Sequence, residues 1–333
     1  MKRWTNLALL VLLGVAFTSG WVAFFYNGAP SRWSLLLHAW GGYAILLLAP
    51  WKSVIAAHGV RRRRPGWWLS LVFSLLVMVS IVAGMLQSTG LLISAGNFSA
   101  MEVHVGAALA AAPLALWHFV ARRVPYRPVD LSRRSLLRGG VLALLAGAVY
   151  ASSEGSVRLL QLAGSRRRLT GSYEVGSLRP ELLPVTQWLF DPVPLLQSST
   201  WRLRVAAQQT RVWSYDELLG FNDSIRATLD CTGGFYSTQD WSGVRISRLL
   251  PPGSTGSSLR VRSATGYERR FPLEDAGRLL LATGVGGAAL APGHGFPVRL
   301  IAPDRRGYWW VKWVTSIDVE AAPDWWQLPF PIQ

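Results

Sequence analysis

The stretch TLDCTGGFYSTQDWSGVRISRLL, residues 228–250, holds the only cysteine of the chain, Cys231. One cysteine cannot close an intramolecular disulfide, so Cys231 is a buried small hydrophobe, a reactive thiol or a metal ligand. It stands before Gly233 and Gly234 and a cluster of aromatic and polar residues: Phe235, Tyr236, Ser237, Thr238, Gln239 and Trp241. Around it, from about Gly171 onward, runs such as TWRLRV, SLRVRS and PVRLIA read as short strands between Gly/Pro turns. YDELL and LEDAGRLLLA read as helices. The C-terminal half is therefore expected to be a soluble α+β domain.

The first half has a different composition. The chain has 333 residues, half of them hydrophobic, yet its formal net charge is +16. Four apolar stretches can each span a hydrocarbon core of ~30 Å: Leu7–Phe25, Leu35–Trp51, Trp67–Leu86 and Val103–Val120. A fifth, Leu136–Ala151, is weaker and rich in Gly and Ala. Lys2 and Arg3 precede the first stretch, Lys52 and Arg61–Arg64 follow the second, and Arg122, Arg123, Arg127, Arg133 and Arg134 lie between the fourth and fifth. The loop Ser88–Met101 has no Lys or Arg, and the loop after the first stretch has only Arg32. This separation follows the positive-inside rule and accounts for most of the charge without a nucleic-acid partner. It predicts a multi-pass protein of the cell membrane, N-terminus cytoplasmic, with everything after about Ser153 outside. Arg166–Arg168 then reads as a solvated linker or a lipid-headgroup contact.

The fifth stretch opens with SRRSLLRGG from Ser132, a twin arginine before a modest apolar core. It resembles a twin-arginine export signal set inside the chain, of the kind that carries folded domains. The alternative is a pair of arginines that only sets topology.

Four of the five histidines fall in or beside the apolar stretches: His38 and His58 around the second, His104 and His118 in the fourth. Polar side chains at membrane depth are costly and are functional candidates. Topology puts His38 and His104 near the outer surface and His58 and His118 near the inner one. Imidazoles facing each other across a bundle can ligate the iron of a b-type haem. His104 and His118 are fourteen residues apart, ~21 Å along one helix and nearly on one face. Pro50 intervenes between His38 and His58 and is a candidate break in their helix. The arrangement resembles membrane di-haem cytochromes b, including ferric-reductase-like haem subunits that serve molybdenum enzymes. Interfacial histidines bonded to headgroups or backbone are the plainer alternative.

In the second half, several motifs occur in order: WRLRV from Trp201, YDELLGF from Tyr215, the cysteine segment, SATGYERRFPLEDA from Ser263, and APGHGFPVRLIAPDRRGYWWVKWVTSIDV from Ala291. Together they resemble the molybdopterin-binding domain of the sulfite oxidase family, from about Pro184 to the C-terminus. The fold class expected is thus an N-terminal α-helical membrane bundle of about five spans plus a C-terminal α+β sulfite-oxidase-type molybdopterin domain. The expected divisions are 1–130, four spans with haem b; 131–155, the fifth span with the internal signal; 156–183, a linker; and 184–333, the molybdopterin-binding oxidoreductase domain.

The resemblance implies that Cys231 ligates molybdenum beside the pterin dithiolene, an arrangement that suits a soft thiolate. It implies that His294, Arg299 and Lys312 serve the phosphate end of the cofactor, and that Ser263, Thr186 and Gln187 touch it. Tyr236 is a candidate catalytic residue. Sulfite-oxidising members follow the cysteine with Gly-Asn-Arg-Arg; here Thr232-Gly233-Gly234-Phe235-Tyr236 follows. A pocket lined by Phe235, Tyr236, Ser237, Thr238, Gln239 and Trp241 would suit a neutral oxo-substrate. The dimerisation tail of some sulfite oxidases is not expected after PDWWQLPFPIQ. The implied activity is oxygen-atom transfer outside the cytoplasm, with electrons through membrane haem. The substrate would be a small S-oxide or N-oxide or an oxidised methionine, and quinone is a candidate carrier. The alternatives are an oxidase of sulfite or another small molecule, and a non-catalytic membrane-tethered binding module.

Overall fold

The computed structural model describes residues 2–26, 29–62, 65–96, 98–123, 125, 127–187 and 191–328. Arg63 and Arg64 of the basic run lie outside the described residues. The chain divides into two compact units, Met1–Tyr173 and Glu174–Gln333.

The first unit is helical. Its helices are α1 (Lys2–Phe25), α2 (Ala29–Arg61), α3 (Trp67–Thr89), α4 (Ala100–Ala121) and α5 (Arg133–Leu159). All five are long and apolar enough to cross a membrane, by length and composition. Each covers one of the apolar stretches. Two-residue strands β1 (Ser94–Ala95) and β2 (Phe98–Ser99) pair between α3 and α4. Ser99 and Glu102 form a capping box at the start of α4, and Ser132 caps α5 through the Ser135 N–H. α1 packs on α2 and α3 on α4. α5 is fastened to α2 by Trp40 Nε1, which donates to the Ala143 carbonyl at 2.7 Å, and by Tyr43 Oη, which donates to Ser153 Oγ at 2.8 Å.

Pro50 does not break α2. The helix runs through it, and Ser53 Oγ donates to the Pro50 carbonyl at 2.8 Å. Proline removes one backbone donor, whereas ending the helix in apolar surroundings would orphan several.

The second unit begins inside β3 (Tyr173–Glu174) and is a mixed-sheet domain. Its strands are β4 (Arg202–Ala206), β5 (Thr210–Ser214), β6 (Asp223–Asp230), β7 (Phe235–Arg245), β8 (Ser258–Ser263), β9 (Glu268–Pro272), β10 (Leu280–Val285), β11 (Ala288–Ala289), β12 (Arg299–Ile301) and β13 (Val314–Glu320). In one sheet β7 pairs antiparallel with β6 and with β10, and β10 also carries β11 and β12. The other sheet has the order β5-β4-β13-β8-β9, in which β4 and β13 run parallel and the remaining neighbours antiparallel. One apolar core fills this unit, with Leu203, Trp241, Leu259, Phe271, Leu281 and Leu300 fully buried.

YDELL forms a short helix, α6 (Tyr215–Leu219), behind a Ser214/Glu217 capping box. LEDAGRLLLA does not. Leu273–Gly277 makes a 3-10 turn, and Leu280–Val285 is the wholly buried strand β10. A strand buried on both faces is a continuous apolar run, which periodicity alone does not separate from a buried helix.

Phe271 on β9 is fully buried against Trp309. Phe271→Ala is expected to destabilise the second unit by about 3–5 kcal/mol. Thermal unfolding of the purified chain checks this.

Candidate functional site

Cys231 sits in the turn that joins β6 to β7. Its N–H donates to the Phe235 carbonyl at 2.8 Å, and the Gly234 N–H donates back to the Cys231 carbonyl at 3.2 Å. Gly234 has φ 96°, a conformation open to glycine at no steric cost. The turn aims the Gly233 N–H at the Cys231 sulfur, 3.4 Å away, and Thr186 Oγ1 lies 3.7 Å from the same sulfur.

Beneath the turn is an ion pair. Asp230 and Arg306 are both 2% exposed, and Arg306 Nη1 donates to Asp230 Oδ1 at 2.5 Å. Arg306 Nη2 also approaches the Cys231 carbonyl at 3.5 Å, and Asp230 and Arg306 form an isolated parallel bridge. A Cβ on Gly307 would stand 3.1 Å from the Cys231 Cα. The segment after β12 therefore braces the backbone of the cysteine. Sequence reading missed this pair. The signal available was an acid directly before Cys231 and two arginines directly before Gly307.

Two more cations stand nearby, one buried and one half-buried. Arg299, on β12, lies over the rings of Trp241 and Trp310, at 5.1 and 5.8 Å, and is 2% exposed. Its Nε has no hydrogen-bond partner among the described residues, and neither has Nε2 of Gln187. Lys312 Nζ donates to the Thr186 and Gly293 carbonyls, each at 2.6 Å. His294 Nε2 donates to the Leu183 carbonyl at 3.0 Å. Gly295, at φ 107°, lets these side chains converge; a Cβ there would meet Arg299 Cβ at 2.9 Å. Cys231, Thr186, Gln187, His294, Arg299 and Lys312 thus form one neighbourhood.

Ser263 and Tyr236 stand differently. Ser263 Oγ accepts from the Thr265 N–H and lies 3.0 Å from Thr265 Oγ1, which donates to Asp191 Oδ2 at 3.0 Å. Tyr236 is half-buried on β7, opposite Asp230. The residues from Phe235 to Trp241 do not line one pocket. Phe235, Ser237, Gln239 and Trp241 point to the buried face of β7, and Tyr236, Thr238 and Asp240 to the other. A strand has period two, so a contiguous run cannot share a wall. Gln239 Nε2 is spent on Ser237 Oγ and the Gly176 carbonyl.

Burial sets the charge state of the cations. Arg299 is pulled down to about 10 by desolvation, against the opposing pull of Cys231. Burial, then the neighbouring Arg299, lowers Lys312 to about 7. The imidazole of His294 is pushed below its usual value by burial. An unfolded lysine keeps its proton to about 10.4, so the unfolded chain holds more protons than the folded one between the two values. Stability from Lys312 is therefore full above the unfolded value and is lost as pH falls toward 7. The melting temperature of the cofactor-free chain is expected to rise with pH across this window, and Lys312→Met to remove the rise. For the ion pair, Arg306→Met is expected to cost about 3–5 kcal/mol, because it leaves Asp230 buried without its cation. Thermal unfolding against pH reads both.

The helical unit holds the other candidates. His38 Nδ1 donates to the Ala16 carbonyl and His104 Nδ1 to the Ser80 carbonyl, each at 2.7 Å. Both Nε2 atoms then carry lone pairs. The two rings are 5.5 Å apart, centroid to centroid, at 84°. His118 Nδ1 lies 3.1 Å from Ser70 Oγ, and its ring packs on Phe73. His58 is exposed and bonded to the Val54 carbonyl of its own helix; among the described residues no hydrogen bond or ring contact joins it to His118.

Comparison with known proteins bears on the second unit. Residues 190–326 match the family model of the oxidoreductase molybdopterin binding domain. Mitochondrial sulfite oxidase of Rattus norvegicus is 30% identical over 170 residues, covering 39% of this chain and 31% of that protein. Nitrate reductase [NAD(P)H] of Hordeum vulgare is 28% identical over 207 residues, covering 46% of this chain and 23% of that protein. The sulfane dehydrogenase SoxCD from Paracoccus pantotrophus aligns with a TM-score of 0.37 at 25% identity, over 39% of this chain and 40% of that chain. The chain spans less than a third of the length of the sulfite oxidases it matches. Its C-terminal half thus carries an oxidoreductase molybdopterin binding domain, similar over that stretch to sulfite oxidases and nitrate reductases.

Proposed function

We propose that the chain is a membrane-anchored molybdenum oxidoreductase that transfers an oxygen atom on an extracytoplasmic substrate, reducing an S-oxide or N-oxide with electrons supplied through haem b. The observation that carries this reading is one buried neighbourhood. The Cys231 thiol, the buried Arg299 with an unpartnered Nε and the unpartnered Gln187 Nε2 stand together. An anionic cofactor with a sulfur-ligated metal fits this donor set. Cys231 would hold the metal as thiolate. Arg299, Lys312 and His294 would hold the phosphate end, and Thr186 and Gln187 the pterin. When bound, the molybdenum supplies two-electron oxygen-atom chemistry.

The substrate class follows from what surrounds the thiol. Arg306 bonds Asp230 through Nη1, and Thr232-Gly233-Gly234 follows Cys231, so the segment directly after the thiol carries no arginine. This favours a neutral oxo-group. The similarity to sulfite oxidases favours a second reading, in which sulfite is oxidised and electrons run inward. Assays with artificial electron donors and acceptors separate the two directions.

Membrane insertion is supported by the five apolar helices and the segregated basic residues. Export of the second unit would use Arg133 and Arg134 at the head of α5. Haem is supported by His38 and His104. Their rings stand 5.5 Å apart, and the two Nε2 atoms would hold the haem iron, which would supply one-electron transfer. Their Nδ1 donations to main-chain carbonyls fix the ligating tautomer.

Cys231→Ala is expected to abolish turnover in both directions and to leave the reduced-minus-oxidised haem spectrum intact. Normal turnover in that variant refutes the assignment. Molybdenum without iron in the purified chain would keep the enzyme and remove the haem.

A further inference from the structure

β9 (Glu268–Pro272) is the outer strand of its sheet, and a buried arginine stands on its inner face. Arg269 is 2% exposed. Among the described residues its Nε has no hydrogen-bond partner and no carboxylate is paired with it. Burying a guanidinium without a carboxylate is costly, and a methionine could fill the same space without that cost.

The contacts show what the charge does there. Arg269 Cζ lies over the Trp309 ring at 4.2 Å and over the Tyr308 ring at 5.3 Å, and Nη1 donates to the Leu328 carbonyl at 3.1 Å. A cation over a ring and a charged hydrogen bond are directional, whereas apolar packing is not. The neighbours of Arg269 on the same face hold the same two residues. Tyr267 Oη donates to the Tyr308 carbonyl, and Phe271 meets Trp309 edge-on at 5.4 Å. Positions 267, 269 and 271 alternate along the strand and so share one face. Arg305, bonded to Asp275 Oδ2 at 3.2 Å, also lies over the Trp309 ring, at 5.2 Å.

The segment gripped in this way carries the site. Arg306 pairs with Asp230. Gly307 packs so closely on the cysteine that a Cβ there would stand 3.1 Å from the Cys231 Cα. Trp310 lies under Arg299 at 5.8 Å and meets Trp241 edge-on, also at 5.8 Å. Tyr308 and Trp309 are the residues by which the segment is held; Arg306, Gly307 and Trp310 are those by which it acts on the site.

We propose that Arg269 is a positioning residue of the molybdenum site. Through Tyr308 and Trp309 it fixes the segment Arg306–Trp310, and through that segment the Cys231 backbone and the Arg299 guanidinium. The outer strand of one sheet thereby sets a turn of the other. The proposal rests on reading Cys231 as the molybdenum ligand.

Cys231 is the only thiol of the chain, so alkylation by N-ethylmaleimide reads its turn directly in the cofactor-free full chain in detergent. Without urea, Arg269→Met is expected to speed alkylation about tenfold, the scale of one hydrogen bond to a charged group. The gain is expected to change little with added urea, because the turn loosens locally. Arg269→Lys, which keeps a cation over the rings, is expected to stay near the wild-type rate and guards against a folding artefact. On the molybdenum-loaded chain, Arg269→Met is expected to shift the Mo(V) electron paramagnetic resonance g-values, which follow the orientation of the sulfur on the metal, and Arg269→Lys to restore them. Unchanged alkylation in Arg269→Met overturns the proposal. So does alkylation that rises only in step with global unfolding in urea, which would make Arg269 a packing residue, and so do unmoved g-values. A wild-type chain that binds no molybdenum would sink the metal reading alone, because alkylation reads the turn without it.

Discussion

Burying positive charge without a negative partner is expensive, and the second unit does it around a single thiol. Arg299 is buried and Lys312 half-buried, with no carboxylate paired to them among the described residues, while the third nearby cation, Arg306, is paired with Asp230. The effective cost of an unpaired buried ion is several kcal/mol. The protein tolerates it by stacking Arg299 on two indoles and by tying Lys312 to two carbonyls. Those contacts orient the cations but leave their charge uncompensated. The domain is thereby built to be completed by an anion, and the rest of its architecture serves to hold the anion's receptors in place. β12 carries Arg299, the turn after β6 carries Cys231, and the segment Leu183–Gln187 is drawn in by His294 and Lys312.

The ion pair of Asp230 and Arg306 plays the complementary part. It is internally neutral, so it does not compete for the anion. It anchors the backbone on the strand side of Cys231 while glycines release the backbone on the other. The sulfur is therefore held by main-chain geometry on both sides.

Much of this was legible from residues alone. The five apolar helices follow from stretch length, and Cys231, His294, Arg299 and Lys312 from ordered motifs. What escaped was whatever depends on pairing between distant segments. LEDAGRLLLA looks helical because β10 is covered on both faces, and nothing local to that segment says so. The wall assigned to Phe235 through Trp241 failed on strand alternation, which becomes decisive only once β7 is known to be a strand throughout. Asp230 and Arg306 are 76 residues apart, and no short motif joins them. His58 and His118 share a sequence depth, but His58 is exposed and bonds its own helix while His118 meets Ser70, a difference visible only in their hydrogen-bond partners.

The His38/His104 pair also says something about origin. Ala16, Gly20 and His38 of α1 and α2 recur as Ser80, Gly84 and His104 of α3 and α4, with the same histidine-to-carbonyl bond and the same histidine-to-glycine approach. Each helical hairpin thus supplies one ring of the His38/His104 pair, as a dimer of one ancestral hairpin would. Fusion of two such copies into one chain frees them to diverge everywhere except where their two histidines meet.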